Sequence, residues 1–132
     1  MKKYGLYLSI LCFALCLACQ DDEILLSKPG EAIQPVTNLA HSISGSDAML
    51  TWNLPTDFPD DIIEPVSVQV RITIDGKSGG DVIVENAPET YTFLNYEPSK
   101  DYKFTVKVRA SVDTDDPAVS NLRYSLGQTI AF

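Results

Sequence analysis

Two long stretches of the chain alternate apolar and polar residues with a period of two. The first runs from Val66 to Ile74 and the second from Tyr102 to Val112. Both are rich in β-branched and aromatic residues, and the alternation gives each stretch one apolar and one polar face. This pattern is typical of half-buried antiparallel strands and predicts two long strands here.

Shorter segments of the same kind lie on either side of these two strands. Clusters of Pro, Gly, Asn and Asp separate them, as expected for connections between strands. The additional predicted strands are Val36–Ile43, Ala48–Asn53, Asp81–Val84, Thr90–Leu94 and Leu122–Phe132. Seven short strands without a helical window predict an all-β fold, a seven-stranded antiparallel immunoglobulin-like β-sandwich over residues 35–132.

Two motifs resemble the fibronectin type III family. Leu50-Thr51-Trp52 followed by Pro55 is similar to the second strand of that family, and the run from Tyr91 to Tyr102 is similar to its fifth strand, turn and sixth strand. The resemblance implies a fibronectin type III-like sandwich for the domain. It implies no activity, because domains of this fold serve many unrelated roles.

Aromatic side chains at inward positions are predicted to form the centre of the core. Trp52 is the only tryptophan and is expected between the two sheets rather than at the surface as a sugar-stacking platform. Tyr102 is expected to form a tyrosine corner, with its hydroxyl bonded to upstream backbone. The predicted core aromatics are Trp52, Tyr91, Phe93, Tyr102 and Phe104, and the candidates for exposure are Phe58, Tyr96 and Tyr124.

The N-terminus has the layout of a secretory signal peptide. Lys2 and Lys3 precede an uncharged apolar run from Leu6 to Leu17. As a helix this run is about 18 Å long, which is too short for a hydrocarbon core of about 30 Å. Residues 1–18 are therefore predicted to be a signal peptide that is removed on export.

The end of this run resembles the cleavage site of bacterial lipoproteins, in which a small residue precedes the cysteine that is acylated. Ala18 and Cys19 match that site, whereas Cys16 departs from the usual aliphatic residue. The acidic run 20–23 is similar to the signal that sends Bacteroidetes lipoproteins to the cell surface. The resemblance implies a lipid anchor at Cys19 in the outer membrane, and the mixed composition of residues 19–34 predicts a flexible acidic linker.

Charge and cysteine content exclude several function classes. The 132 residues include 18 Asp and Glu against 10 Lys and Arg, which gives a formal net charge of −8. This balance argues against nucleic acid as a partner, because binding phosphates requires a basic patch. All three cysteines lie within the first 19 residues, so the predicted domain has no disulfide, no thiolate metal site and no Cys nucleophile.

Carboxylates concentrate in loops that the family topology would place at one end of the sandwich. Three interpretations stay open for them: solvated loops that keep the protein soluble, a docking surface for a basic partner, and a hard-cation site. Calcium suits the last of these because it binds about six to eight oxygen ligands. The candidate ligands are Asp57, Asp60, Asp61, Asp113, Asp115 and Asp116, and no other cofactor is expected.

Residues for acid–base or nucleophilic chemistry are scarce. His41 is the only histidine, and it is expected at a strand edge or in a loop, with no Ser and acid placed beside it. The glycines between residues 76 and 80 predict a hairpin turn rather than a phosphate-binding loop. No catalytic residue is predicted, and a small hydrolase stays only as a remote alternative.

The predicted function is therefore a non-catalytic binding or interaction module on a cell-surface lipoprotein, with an unknown protein or glycan as its partner. Analogy with Bacteroidetes lipoproteins suggests an outer-membrane glycan-uptake assembly. The alternative is a structural spacer or assembly subunit that pairs through a free sheet edge. The last strand, which ends in Ile130 and Phe132, would supply that edge.

Overall fold

The computed structural model describes residues 30–132, which form eight β-strands. The strands are β1 (Thr37–Ser44), β2 (Asp47–Asn53), β3 (Ile62–Ile74), β4 (Lys77–Val84), β5 (Thr90–Leu94), β6 (Tyr102–Val112), β7 (Leu122–Tyr124) and β8 (Gln128–Ala131). Within these residues no helix has the length and apolar character needed to cross a membrane. The predicted signal peptide and the predicted acylation site, Cys19, lie outside the described residues.

The strands form two antiparallel sheets that pack as an immunoglobulin-like sandwich. The smaller sheet has the order β1-β2-β5. The larger sheet has the order β4-β3-β6, and both β7 and β8 pair with the remaining side of β6. Because β7 and β8 follow one another along the same strand, they occupy one position in the sheet. The sandwich therefore has seven strand positions, and the predicted fold class is confirmed.

The alternation in β3 and β6 produces the core. The even-numbered residues from Tyr102 to Val112 and from Val66 to Ile72 are at most 5% exposed. Since β3 and β6 are neighbours, their apolar faces form one continuous layer, and Leu50 of β2 belongs to the same cluster. Burying a side chain of this size contributes about 1.5–3 kcal/mol, so these two strands supply much of the stability of the domain.

The predicted core aromatics lie against this layer. Trp52 is 2% exposed, and its Nε1 donates a hydrogen bond to the carbonyl oxygen of Pro88 at 2.8 Å. Tyr102 is also buried, and its hydroxyl accepts a hydrogen bond from the backbone N–H of Glu97 at 3.1 Å, which makes it a tyrosine corner. Phe104 is fully buried, whereas Tyr91 and Phe93 are partly buried and pack against the cluster.

The last strand contains a β-bulge. Arg109 pairs with Tyr124, and Val106 pairs with Gln128. Three residue steps on β6 therefore lie opposite four steps on the partner, and the additional residue is the bulge. The single strand predicted over Leu122–Phe132 is thus two strands, separated at the bulge.

Ser125 replaces the backbone pairing at this point. Its N–H donates to the carbonyl oxygen of Val108 at 3.0 Å, and its Oγ accepts the N–H of Val108 at 2.9 Å. Because an additional residue reverses which side chains face inward, Arg123 is buried before the bulge and Ile130 is partly buried after it. Leu126, inside the bulge, is 78% exposed.

Residues 30–34, which the sequence assigns to the linker, contact the sandwich. Ile33 is 3% exposed and belongs to the core cluster. The carbonyl oxygen of Glu31 accepts a hydrogen bond from Nη1 of Arg123 at 3.1 Å. The packed part of the chain therefore includes residues on the N-terminal side of Pro35.

Candidate functional site

The acidic loops do lie at one end of the sandwich, which we call the acidic end; it comprises residues 54–61, 85–89 and 113–121. The first and last of these loops meet where the N–H of Asp113 donates to the carbonyl oxygen of Asp61 at 2.8 Å. A depression of about 710 Å³ lies between the first loop and residues 31–34, and its lining includes Glu31, Asp57 and Asp60. The surface here is strongly acidic.

Asp61 is engaged in an ion pair with a buried cation. Nη1 and Nη2 of Arg123 donate to its two carboxylate oxygens at 2.8 and 2.6 Å. These hydrogen bonds are the main reason that the pKa of Asp61 is lowered from its ordinary value. Because Arg123 also holds Glu31, it joins β7 to the β2–β3 loop and to the leading segment 30–34. We therefore assign this pair a structural role.

The six candidate calcium ligands do not converge on one point. Asp61 is paired with Arg123, and Asp116 accepts the N–H of Ala118 at 2.9 Å within its own turn. Within residues 30–132 no group of three or more His, Cys, Asp or Glu side chains is placed to hold a metal ion. The geometry thus gives no support to the predicted calcium site.

The sandwich carries a second charged surface, which the sequence reasoning missed. Seven Lys and Arg residues lie within residues 30–132, and four of them occupy outward positions on β3 and β6. We call this surface the cationic face; its cations are Arg71, Lys103, Lys107 and Arg109. The backbone positions of these residues are fixed relative to one another, because β3 and β6 are the most extensively paired strands of the larger sheet.

The register of the two strands arranges these cations as a ladder. Arg71 lies opposite Thr105, so its position along the strand direction is between those of Lys103 and Lys107; we call each such position a level of the ladder. A cation therefore occurs at each step of two residues along β6, from Lys103 to Arg109. Two residues of an antiparallel strand span about 7 Å, so the ladder is about 20 Å long.

Two of the four cations are held by carboxylates at the margin of the sheet. Arg71 donates to both carboxylate oxygens of Asp81, at 3.0 and 3.1 Å. These hydrogen bonds are the main reason that the pKa of Asp81 is lowered. Arg109 donates to Ser67 Oγ at 3.2 Å and lies 3.8 Å from the carboxylate of Glu85. Each guanidinium keeps N–H groups that these partners do not use.

The other two cations are available for a ligand. Neither Lys103 nor Lys107 forms a salt bridge with any residue in the described part of the chain. Each lines a shallow depression, one of about 570 Å³ and the other of about 400 Å³. The first depression is lined by Arg71, Thr73, Gly76, Ser78, Gly80, Asp81 and Lys103, and the second by Gly30, Glu31, Ala32, Lys107, Arg123, Tyr124 and Ser125.

A signal for this surface was present in the sequence. The alternation in Tyr102–Val112 places Lys103, Lys107 and Arg109 on one face of the same strand. A comparison of charge between loops alone assigns charge to the ends of the sandwich and not to its faces. Arg71 is 32 positions from Lys103 in the sequence. Its position beside the cations of β6 depends on the β3–β6 register, so the sequence alone does not predict it.

Of the three aromatic residues expected as candidates for exposure, one is exposed and two are partly buried. Phe58 and Tyr96 are partly buried and pack against the core cluster. Tyr124 is 40% exposed and lies opposite Arg109 at one end of the cationic face. The ring of His41 stacks on Phe132 with centroids 3.9 Å apart, and within residues 30–132 no hydroxyl or carboxylate is hydrogen-bonded to it.

The edge that would support strand addition is short. Tyr102 and Phe132 exchange both backbone hydrogen bonds, so Thr129 and Ala131 direct their backbone groups away from β6. β8 has only four residues, it follows a bulge, and β1 lies beside it where His41 meets Phe132. Short, bulged and flanked edges are poor templates for pairing, so the geometry does not favour the spacer alternative.

Comparison with known proteins gives similarities of fold and one family. A fibronectin type III domain of human collagen XX is 15% identical with a TM-score of 0.47, over 80% of this chain and 99% of that one. The spore cortex lytic enzyme SleM of Clostridium perfringens is 16% identical with a TM-score of 0.42, over 74% of this chain and 28% of the enzyme. No curated protein matches. Residues 19–132 match the family described as "Domain of unknown function (DUF4945)". Because this match covers most of the chain, the chain belongs to that family.

Proposed function

We propose that the chain is a cell-surface lipoprotein whose sandwich is a non-catalytic binding module, with the cationic face as its binding surface. The observation that carries the proposal is the segregation of charge. On a chain with a net charge of −8, four cations gather on one sheet face, and two of them form no salt bridge within residues 30–132. Side chains on paired strands are well positioned for recognition, because the backbone beneath them is rigid.

The form of this surface favours binding over catalysis. Its two depressions are shallow and open to solvent, and one of them contains Lys103 and the other Lys107. Catalysis by general acids and bases requires groups held around a reacting atom. The one histidine of the chain stacks on Phe132 instead. The cationic face is thus suited to holding a partner without altering it.

The anchor is proposed from the sequence alone. Acylation of Cys19 would tie the chain to the outer membrane, and a partner there would belong to a glycan-uptake assembly. Arg123 holds the leading segment at the acidic end, so a tether would attach at that end. The cationic face runs along the side of the sandwich and would stay accessible to a partner.

Two measurements test this proposal. Mass spectrometry of the full chain purified from membranes should show cleavage before Cys19 and acyl chains on it, and a Cys19→Ser variant should lack both. Protease added to intact cells should degrade the anchored chain. An unmodified Cys19, or complete protection in intact cells, contradicts surface anchoring.

The binding role is tested by capture from solubilised outer membranes on the full chain. Lys103→Gln/Lys107→Gln removes two cations from the face. Lys77→Gln/Lys100→Gln removes two cations elsewhere and is the matched control, since both variants change the net charge equally. A partner retained by wild type and control but lost from the face variant supports the proposal. Equal capture by all three proteins refutes the cationic face as the binding surface.

A further inference from the structure

We infer that the ligand of the cationic face is a linear anionic polysaccharide that lies along β6 from one depression to the other. The inference rests on the proposed function, because it concerns the same surface. It also goes beyond that function, since it names the chemical class of the ligand and its direction on the sheet. Three features of the face support it: the spacing of its cations, the state of the backbone beneath them and the kind of side chains between them.

The spacing of the cations fits a linear chain of negative charges. The ladder from Lys103 to Arg109 has one cation about every 7 Å over about 20 Å. A compact anion, such as a single phosphate, would engage one level only. A polymer with an acidic group on successive sugar units would meet a cation at several levels. The two depressions at Lys103 and Lys107 would each accommodate one sugar unit.

The position of the ladder within the sheet argues against an acidic polypeptide. Extended peptides commonly bind by adding a strand to a free sheet edge, where backbone hydrogen bonds supply the affinity. The ladder lies on β3 and β6, and each of these strands is already paired on both sides. A ligand here gains only side-chain contacts, so it must present hydrogen-bonding groups of its own.

The side chains between the cations fit the hydroxyl groups of a sugar. Thr73 and Ser78 line the depression at Lys103, and Thr105 and Thr129 share a hydrogen bond of 3.0 Å beside the ladder. Side-chain hydroxyls both donate and accept hydrogen bonds, as sugar hydroxyls do. The exposed ring of Tyr124, at the Arg109 end of the ladder, offers an apolar face and a polar tip.

A planar anionic surface, such as a layer of acidic lipid headgroups, fits this face less well. Asp81 of β4 borders the ladder beside Arg71, and Glu85 of the acidic end lies next to Arg109. A flat sheet of negative charge would meet these carboxylates as well as the cations. A single chain of sugars meets only the carboxylates that line the two depressions, Asp81 and Glu31, which are fewer than a flat layer meets, so the geometry points to a narrow ligand.

The test measures binding of the full chain in detergent to four probes. They are polygalacturonate, neutral dextran, polyglutamate and vesicles that contain acidic lipid. We expect binding to polygalacturonate and no binding to dextran. Lys103→Gln/Lys107→Gln should bind polygalacturonate about 2- to 30-fold more weakly, as expected for two exposed charge pairs, and Lys77→Gln/Lys100→Gln should match wild type. Binding should be lost between 0.1 and 1 M NaCl, where the Debye length falls from about 10 to about 3 Å.

The other outcomes separate this inference from the proposed function. In one outcome, polyglutamate or the vesicles bind as tightly as polygalacturonate and lose the same affinity in the Lys103→Gln/Lys107→Gln variant. That result overturns the assignment of a polysaccharide as the ligand and leaves the cationic face as a binding surface. Polygalacturonate binding that both variants weaken equally overturns the inference, because the effect would then depend on net charge alone. Failure of every anionic probe also overturns it, while capture from the outer membrane continues to test the proposed function.

Discussion

Tyr102→Phe removes one hydroxyl from the tyrosine corner and leaves the ring in place. The hydroxyl accepts the N–H of Glu97 at 3.1 Å, and this bond fixes the connection between β5 and β6. The ring is 3% exposed and contacts the rings of Phe93 and Phe104. Phenylalanine preserves these ring contacts, so the substitution isolates the hydrogen bond.

The expected cost follows from the surroundings of the two bonded groups. A hydrogen bond of this kind contributes about 0.5–1.5 kcal/mol to the free energy of unfolding. The larger penalty for an unpaired buried donor does not apply in full, because Glu97 is exposed and water can reach its N–H. We therefore expect a loss of about 1 kcal/mol, which corresponds to a fall in Tm of about 4–8 °C for a domain of this size.

Thermal and urea unfolding of the full chain, followed by circular dichroism, would measure this loss. Tyr96→Phe is the matched control, because its ring packs on Tyr102 with centroids 5.1 Å apart and its hydroxyl has no hydrogen-bond partner within residues 30–132. The control should change the free energy of unfolding by less than about 0.5 kcal/mol. Equal losses in both variants, or no loss in Tyr102→Phe, would refute the assignment of the corner.

Three further predictions concern the ion pair, the core and the acidic end. Asp61→Asn should lower Tm by a constant amount at neutral pH, and this difference should begin to shrink as the pH falls below about 3.8, because Arg123 lowers the pKa of Asp61 from 3.8 and the stabilisation is lost as the pH falls through that lowered value. A difference that does not decrease as the pH falls below 3.8 contradicts this. Trp52→Ala should cost about 3–5 kcal/mol in urea unfolding, a large part of a typical total of about 5–15 kcal/mol, and a loss below 1 kcal/mol would show that the indole is not part of the core. Millimolar Ca²⁺ should leave Tm unchanged, because Asp61 is paired with Arg123 and no group of three ligands forms within the described residues. A rise of about 2.7 kcal/mol in the free energy of unfolding, as expected when Ca²⁺ is present at 100 times its Kd, would instead support the calcium site.

The sequence predicted most of the fold because one physical signal dominates it. The period-two alternation determines which side chains are buried, so Thr90–Leu94 and Tyr102–Val112 were predicted with the observed bounds. β3 begins earlier than predicted, at Ile62 rather than Val66. The added part includes Glu64-Pro65 and lies where the β3–β6 register shifts. The alternation does not reveal such irregular pairing.

The last strand shows why the same signal fails elsewhere. Before and within the bulge, Arg123 and Ser125 are buried while Tyr124 and Leu126 are exposed, which is the reverse of their hydropathy. Arg123 can face inward because Asp61 neutralises it, and Ser125 can because it bonds Val108. Both partners are distant in the sequence. The local alternation alone therefore assigns the wrong face to Arg123, Ser125 and Leu126.

The net charge of the whole chain and the local charge of one face affect the binding of partners at different distances. A net charge of −8 governs interactions over long range, and salt screens these within about 8 Å at physiological ionic strength. When a ligand is in contact with the protein, the nearby cations determine its electrostatic interaction. The acidic composition alone therefore does not exclude a polyanion at Lys103 and Lys107. The case against single-stranded nucleic acid then depends on stacking. Proteins that bind it hold successive bases on several aromatic rings, and the cationic face has one exposed ring, Tyr124, among the described residues.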